Sequence, residues 1–528
     1  MSPPRFTRRT LLLTSVAAGV LVMAGHPSAS AEPKRGGTLT WAFDRESSSI
    51  LGINTSAYIT SLVGPKIFDG LLSYDENLNP QPQLATEWSV APDSLTYIFK
   101  LRPNVKWHDG KPLTSSDVVF SIDRIKRVHP RGSITFGNVS SVETPDDRTV
   151  VFKLASPVPY FLTAFASSET LIIPKHIFEK LPEKDNPPDS ALVGTGPFVF
   201  KEWVRSSHIV LERNPSYWDA GKPYLDRVIF RVIPDPASRS AGLEAGEIDL
   251  TSIGLTDIER LKANPRLVVE DKPSAYGARH HQISLNLEVK ELSDVRVRKA
   301  IAHAIDLEKI QRVVFYGYGK VAPSPISPLL TKFVNPTIRP YSFDPALSNK
   351  LLDEAGYPKG ANGFRFSLQV VNNPANDPRF PAFVAQSLKA VGIDASVGLS
   401  DQAAFIKRVY SERNFGLAID AMGNGFDPTV GVQRVYWSKN FRIGVPFSNA
   451  SRYENPEVDR LLEQASVEIN EAKRRELFFK FQDIVNEELP VINGFNPPDF
   501  IAYRKGLQNF ATGAAGLNGS LAEAFYAN

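Results

Sequence analysis

Three consecutive pieces decide how this chain is read. They are Leu84-Ala85-Thr86-Glu87-Trp88-Ser89, then Asp93-Ser94-Leu95-Thr96-Tyr97-Ile98-Phe99-Lys100-Leu101-Arg102, then Lys106-Trp107-His108-Asp109-Gly110-Lys111-Pro112-Leu113-Thr114-Ser115-Ser116-Asp117-Val118-Val119-Phe120-Ser121. Leu95, Tyr97, Phe99 and Leu101 alternate with Thr96, Lys100 and Arg102, which makes the middle piece a strand with one buried face. Asp109-Gly110 is a turn pair, because glycine accepts the positive φ such turns need. Ser116 or Asp117 offers a side-chain oxygen to cap a helix that starts at Val118. Strand, turn and helix follow one another in many globular proteins. The order of residue types within them is much more specific.

Working outward, Gly36-Gly37-Thr38-Leu39-Thr40-Trp41-Ala42-Phe43 is a glycine turn leading into a strand, and Ile67-Phe68-Asp69-Gly70-Leu71-Leu72 suits the end of a helix. Thr149-Val150-Val151-Phe152-Lys153-Leu154 is a second strand after the Pro145-Asp146-Asp147 turn. Pro182 to Pro188 is polar and proline-rich, a surface connection. Gly194-Thr195-Gly196-Pro197-Phe198 is followed by no Lys-Ser/Thr and completes no G-x-G-x-x-G, so it is a structural turn rather than a nucleotide loop. Asn214-Pro215-Ser216-Tyr217-Trp218 and Leu243-Glu244-Ala245-Gly246-Glu247-Ile248-Asp249 complete this block. Further on, Ser293 or Asp294 caps a helix, Asp344-Pro345 and Gly356-Tyr357-Pro358 bracket another, and Asn455-Pro456 opens a third, with a break near Asn470.

These blocks, in order and position, resemble the family 5 extracellular solute-binding proteins, the peptide and nickel receptors of ABC importers. The resemblance covers essentially the whole mature chain. It implies an α/β fold, a two-lobed periplasmic binding protein of the large peptide-receptor type with an inserted subdomain in the first lobe. By analogy the first lobe is residues 32–75, 192–283 and 490–528, the inserted subdomain 76–191 and the second lobe 284–489. Segments near Leu285 and Pro490 would be the hinge. Such a clamp closes on its solute, and the closed form is what the permease complex in the inner membrane recognises.

Composition agrees with an exported receptor. At 528 residues the chain exceeds one ordinary core. Arg5, Arg8 and Arg9 precede an apolar run from Leu11 to Ala24, too short to span a bilayer permanently, and Ala29-Ser30-Ala31 offers small residues for cleavage near Ala31. Residues 1–31 therefore read as a signal peptide. Thr7-Arg8-Arg9-Thr10-Leu11-Leu12 fits the twin-arginine export pattern, with an ordinary secretory signal as the competing reading. The absence of cysteine excludes disulfides, thiolate metal sites and a lipid-bearing cysteine. A receptor without a lipid anchor diffuses away from a cell with one membrane, so the chain reads as a free, monomeric periplasmic protein. Cleavage lowers the net charge from +3 to 0, which gives no electrostatic case for nucleic acid.

The sequence carries no catalytic signature. No G-x-S-x-G elbow occurs, and none of the eight histidines has chelating spacing. His280 and His281 would face opposite sides of a strand. The expectation is no catalytic residue, no metal and no cofactor. Asp420-Ala421-Met422-Gly423-Asn424-Gly425-Phe426-Asp427-Pro428 has the character of a binding loop: glycines admit close approach, and Phe426 is placed to stack on a ligand. The resemblance implies that the ligand-anchoring position lies in this loop, four residues before the proline. Peptide receptors carry an aspartate there, whereas this chain has Asn424. No arginine stands at Val370 or Val371, where the dipeptide receptor holds the ligand carboxylate, and Ala403 replaces a common aromatic. Ser56, Ala57 and Tyr58 resemble the strip that reaches over the ligand from the first lobe. With Met422, Asn424, Phe426 and Trp437 they form the expected ligand-binding set. The solute class is a peptide or peptide-like small molecule; the alternatives are an oligosaccharide or a sugar–amino-acid (opine-like) conjugate, a nickel chelate or haem, and, from another class, a secreted hydrolase.

Overall fold

The computed structural model describes Met1 and residues 33–527, apart from 47–48, 56–57, 130, 184–185, 273, 275 and 375. The expected signal peptide, Ser56 and Ala57 lie outside the described residues. Among the described residues no helix is long and apolar enough to cross a membrane.

Two large mixed sheets organise the chain. The first has the strand order Leu267–Asp271, Phe500–Arg504, Leu250–Ser252, Thr38–Phe43, Arg227–Val232, His208–Arg213, Phe198–Val204. The second runs Lys320–Val321, Val491–Asn496, Arg279–Leu285, Leu417–Gly423, Phe366–Asn372, Ile393–Gly398. Between Thr38–Phe43 and Phe198–Val204 the chain builds a four-stranded antiparallel sheet of Ala85–Val90, Thr96–Leu101, Thr149–Leu154 and Val139–Asp146. Its core is aromatic: Phe99, Phe152, Phe161 and Phe165 pack edge to face, with centroids 5.0–5.6 Å apart.

The opening stretch folds as strand, turn and helix, with one correction. Gly110 sits at φ +85 in the turn, but the helix is Ser115–Val128 and its N-cap is Thr114. Asp117 is the third helical residue and closes a capping box: its Oδ2 accepts from Thr114 N at 2.9 Å, and its Oδ1 accepts from Lys175 N at 2.9 Å. Asp294, Asp344, Asn455 and Asn470 cap the helices that begin at Val295, Pro345, Pro456 and Glu471. The Gly194-Thr195-Gly196 turn is structural. A Cβ on Gly194 would stand 1.8 Å from the Ile67 carbonyl oxygen, and Thr195 donates its hydroxyl to the buried Asp69 at 2.9 Å.

The connections between the two sheets do not fall at the segments expected as the hinge. Leu285 and Pro490 are hydrogen-bonded to each other at 3.1 Å at the far end of the second sheet. Strands Arg279–Leu285 and Val491–Asn496 both belong to that sheet, so residues 279–283 and 491–496 leave the first lobe, where the resemblance put them. The chain crosses between sheets at 272–278 and 497–499. The crossings are tied together: Lys272 N donates to Asp499 O at 3.0 Å, and Asp499 N to Asp271 Oδ1 at 2.7 Å.

Candidate functional site

The topology brings two strand ends face to face. In the first sheet Thr38–Phe43, Arg227–Val232 and Leu250–Ser252 are parallel. In the second, Phe366–Asn372, Ile393–Gly398 and Leu417–Gly423 are parallel. Both crossings join the sheets at the carboxyl ends of these strands, since Phe500 follows directly on the second crossing and Arg279 enters beside Gly423. The crevice outside the carboxyl ends is where open α/β sheets bind ligands. Here the two crevices share one cleft.

From the first lobe, Asp44 and Arg45 follow strand Thr38–Phe43 as an ion pair with 2.6 Å between Arg45 Nη2 and Asp44 Oδ2. Tyr58 opens helix Tyr58–Ile67 with half of its surface exposed. Enclosure of its hydroxyl end and the charge of Asp499 push its pKa up, and Arg279 of the second lobe acts against them. Burial likewise pushes the Asp499 carboxyl up.

From the second lobe comes the loop after Leu417–Gly423. Gly425 has φ +67, which glycine alone adopts without strain. Asn424 N and Gly425 N donate to Ala278 O at 3.1 Å and Gly277 O at 3.3 Å, which fastens the loop to the first crossing. The Asn424 side chain is buried, and its Oδ1 accepts from Ser327 N. Phe426, also buried, packs against Tyr276 of the crossing at 5.0 Å and Tyr160 of the inserted subdomain at 6.4 Å. Met422 is buried in the second-lobe core. Trp437 does not join the others: its Nε1 donates to Glu463 at 2.9 Å and Lys439 lies over its ring.

Four acids come into question as stand-ins for the aspartate that Asn424 replaces. Asp427 is bound by Arg474, Asp44 by Arg45, and Glu46 accepts from Trp203 Nε1 at 2.7 Å. Asp420 differs. Its Oδ1 accepts from Ala421 N at 2.7 Å and Asn373 Nδ2 at 2.9 Å, while Oδ2 has no partner among the described residues. Burial pushes its carboxyl up to about 6, and Arg434 and Arg279 act only as more distant charges.

Two arginines near the loop carried no sequence signal. Arg434 donates Nε to Gly431 O at 3.1 Å and Nη2 to Gly423 O at 3.0 Å, and burial with the nearby Arg131 lowers its pKa to about 10. Arg131 pairs with Glu169, its Nε 2.7 Å from Oε1. His280 and His281 do lie on opposite faces: His281 packs on Phe315 and Phe380, and burial pushes the pair down to about 4 and 3.

Residues 79–442 match the family model for bacterial extracellular solute-binding proteins, family 5 Middle. The chain is 30% identical over 499 residues to a putative ABC transporter peptide-binding protein of Brucella ovis, covering 90% of this chain and 91% of that one. It is also 30% identical to heme-binding protein A of Haemophilus influenzae, over 78% of each. Among solved structures it is similar to the periplasmic binding protein DppA from Helicobacter pylori in complex with the peptide STSA. That match has a TM-score of 0.81 and 26% identity, and it covers 94% of this chain and 99% of that one. NikZ from Campylobacter jejuni in complex with Ni(L-His) matches with a TM-score of 0.77 and 26% identity, covering 91% and 97%.

Proposed function

Because this chain belongs to the family 5 bacterial extracellular solute-binding proteins, the solute-capturing subunits of ABC importers, we propose that it takes a peptide-like solute lacking a free amine at position 424. The solute sits in the cleft between the two sheets, among Tyr58, Asn424 and the loop that carries Phe426. The closed form is handed to a membrane permease. The protein acts in the periplasm as a monomer after cleavage near Ala31, and performs no chemistry on its cargo. Relatives named for peptides support the solute class.

One observation carries the reading: the carboxyl ends of both sheets face one cleft spanned by two crossings that are hydrogen-bonded to each other. Bending at two adjacent crossings opens and shuts such a cleft. Small-angle scattering of the mature protein, with and without the small-molecule fraction of the native periplasm, tests it. Compaction on addition, with the captured solute released unchanged in mass, is the expected result; turnover of the solute would overturn the binding-only reading.

A further inference from the structure

We infer that the solute presents an oxygen acceptor to Asn424, the carbonyl of an acylated or lactam-closed amine, and that the Asn424 amide nitrogen donates to it. The inference rests on the receptor reading above, and it adds what stands in the place of the missing amine.

Three observations carry it. The first fixes the orientation of the amide. Asn424 Oδ1 accepts from Ser327 N. A backbone N–H only donates, so the oxygen faces Ser327 and the nitrogen points away. Turning the amide over would set donor against donor and strand the Ser327 N–H. An aspartate here could accept from Ser327 N with one oxygen and face an ammonium with the other. Asparagine has only a donor left to offer.

The second observation is that this donor is unspent. Asn424 is 2% exposed, yet its Nδ2 has no hydrogen-bond partner among the described residues. Unlike Asp420 Oδ2, it is not among the sealed, unpaired polar atoms, so room for a contacting atom remains beside it. The nearby acids supply no acceptor. Arg474 grips both oxygens of Asp427, while Asp420 Oδ1 is taken by Ala421 N and Asn373 Nδ2. A buried amide donor left unpaired is costly, and an acceptor on the solute removes that cost.

The third is that the loop cannot turn to offer anything else. Asn424 N and Gly425 N are already spent on Ala278 O and Gly277 O. A Cβ on Gly431 would stand 1.8 Å from Asn424 O, so the two ends of the loop lie backbone against backbone. The Asn424 donor is therefore held in one direction before the solute arrives, and little ordering is left for binding to impose.

The test uses the full mature chain and a panel of dipeptides, each in three matched forms: with its free amine, N-acetylated, and with the amine replaced by hydrogen. The small-molecule fraction of the native periplasm is run beside them. The readout is the thermal midpoint, which rises when a solute binds the folded state. For the wild type, the acetylated form should give the same rise at about tenfold lower concentration than the form without nitrogen, and the free amine should be weakest. N424D should reverse the order and put the free amine first. Equal response to the acetylated and nitrogen-free forms would overturn the acceptor and leave the receptor reading standing, as would an N424D variant that ranks the forms like the wild type. If N424D fails to fold, the wild-type ranking decides. Strongest response of the wild type to the free amine would overturn both this inference and the reading of position 424. A rise with the periplasmic fraction but with no dipeptide form would overturn the acylated terminus alone. No rise with either would overturn the receptor reading and this inference together.

Discussion

Arg474 grips Asp427 with both arms of its guanidinium: Nη1 lies 2.7 Å from Oδ2 and Nη2 2.6 Å from Oδ1, and both side chains are 4% exposed. Asp427 also caps the short helix Pro428–Gly431, so the pair sets the height of the loop carrying Asn424 and Phe426. Arg474→Met would leave a buried carboxylate without its partner and should cost about 3–5 kcal/mol. The double variant with Asp427→Asn should recover part of that loss, because no charge is then stranded. Urea denaturation of the single and double variants measures both. A single-variant loss below about 1 kcal/mol would show that the pair contributes no more than a surface one.

At Asn424 the expected change is in selectivity rather than stability. An aspartate there can still accept the Ser327 N–H, so Asn424→Asp should fold normally. Its new charge should strengthen binding of solutes with a free ammonium facing it, by about two to three and a half orders of magnitude at about 3–5 kcal/mol for a buried pair. N-acylated analogues should gain nothing. Calorimetry against matched free and N-acylated dipeptides decides it. Tight binding of free dipeptides by the wild type, lost on Asn424→Ala, would refute the reading of this position.

Local features of the fold were legible in the sequence because they depend on neighbours. The alternation at Leu95–Leu101 and the caps at Asp344, Asn455 and Asn470 each involve residues a few positions apart. The Thr114 cap was missed because three adjacent hydroxyl or carboxyl residues follow it, and only the backbone decides which stands first. The crossings were misplaced by several residues, since strand Arg279–Leu285 looks the same in either sheet. At the cleft the loop itself was legible, but its contents were not. Asp427 meets Arg474 from 47 residues away, and Arg279 meets Gly423 only through strand register. Two arginines among 60 basic residues carry no mark of their position.

Asp420 makes a prediction about pH. Burial raises its carboxyl to about 6 in the folded state, so the folded protein keeps a proton that the unfolded chain gives up near pH 4. The contribution is therefore full below about pH 4 and lost as pH rises through 6, on the order of 3 kcal/mol in all. Asp420→Asn keeps an acceptor for Ala421 N and removes the titration. Stability of the variant minus that of the wild type should rise by that amount between about pH 4 and pH 7. Parallel curves would place the Asp420 carboxyl in its ordinary range.

Phe426 connects the lobes directly. It belongs to the second-lobe loop, yet its ring lies 5.0 Å from Tyr276 and 6.4 Å from Tyr160, and it packs with the first-lobe core. An aromatic pair adds about 0.5–1.5 kcal/mol beyond burial, and Phe426 makes one such contact to the first crossing and one to the inserted subdomain. Phe426→Ala should therefore shift any open–closed equilibrium toward the open form by about tenfold. The second lobe should keep its fold, because Phe426 packs in the first-lobe cluster and not in the second-lobe clusters that hold Ile419 and Met422. Scattering of the variant without solute should give a larger radius than the wild type, and compaction should need more of the periplasmic fraction. An unchanged radius and an unchanged solute requirement would mean that the Phe426 contact persists in both forms and does not gate the cleft.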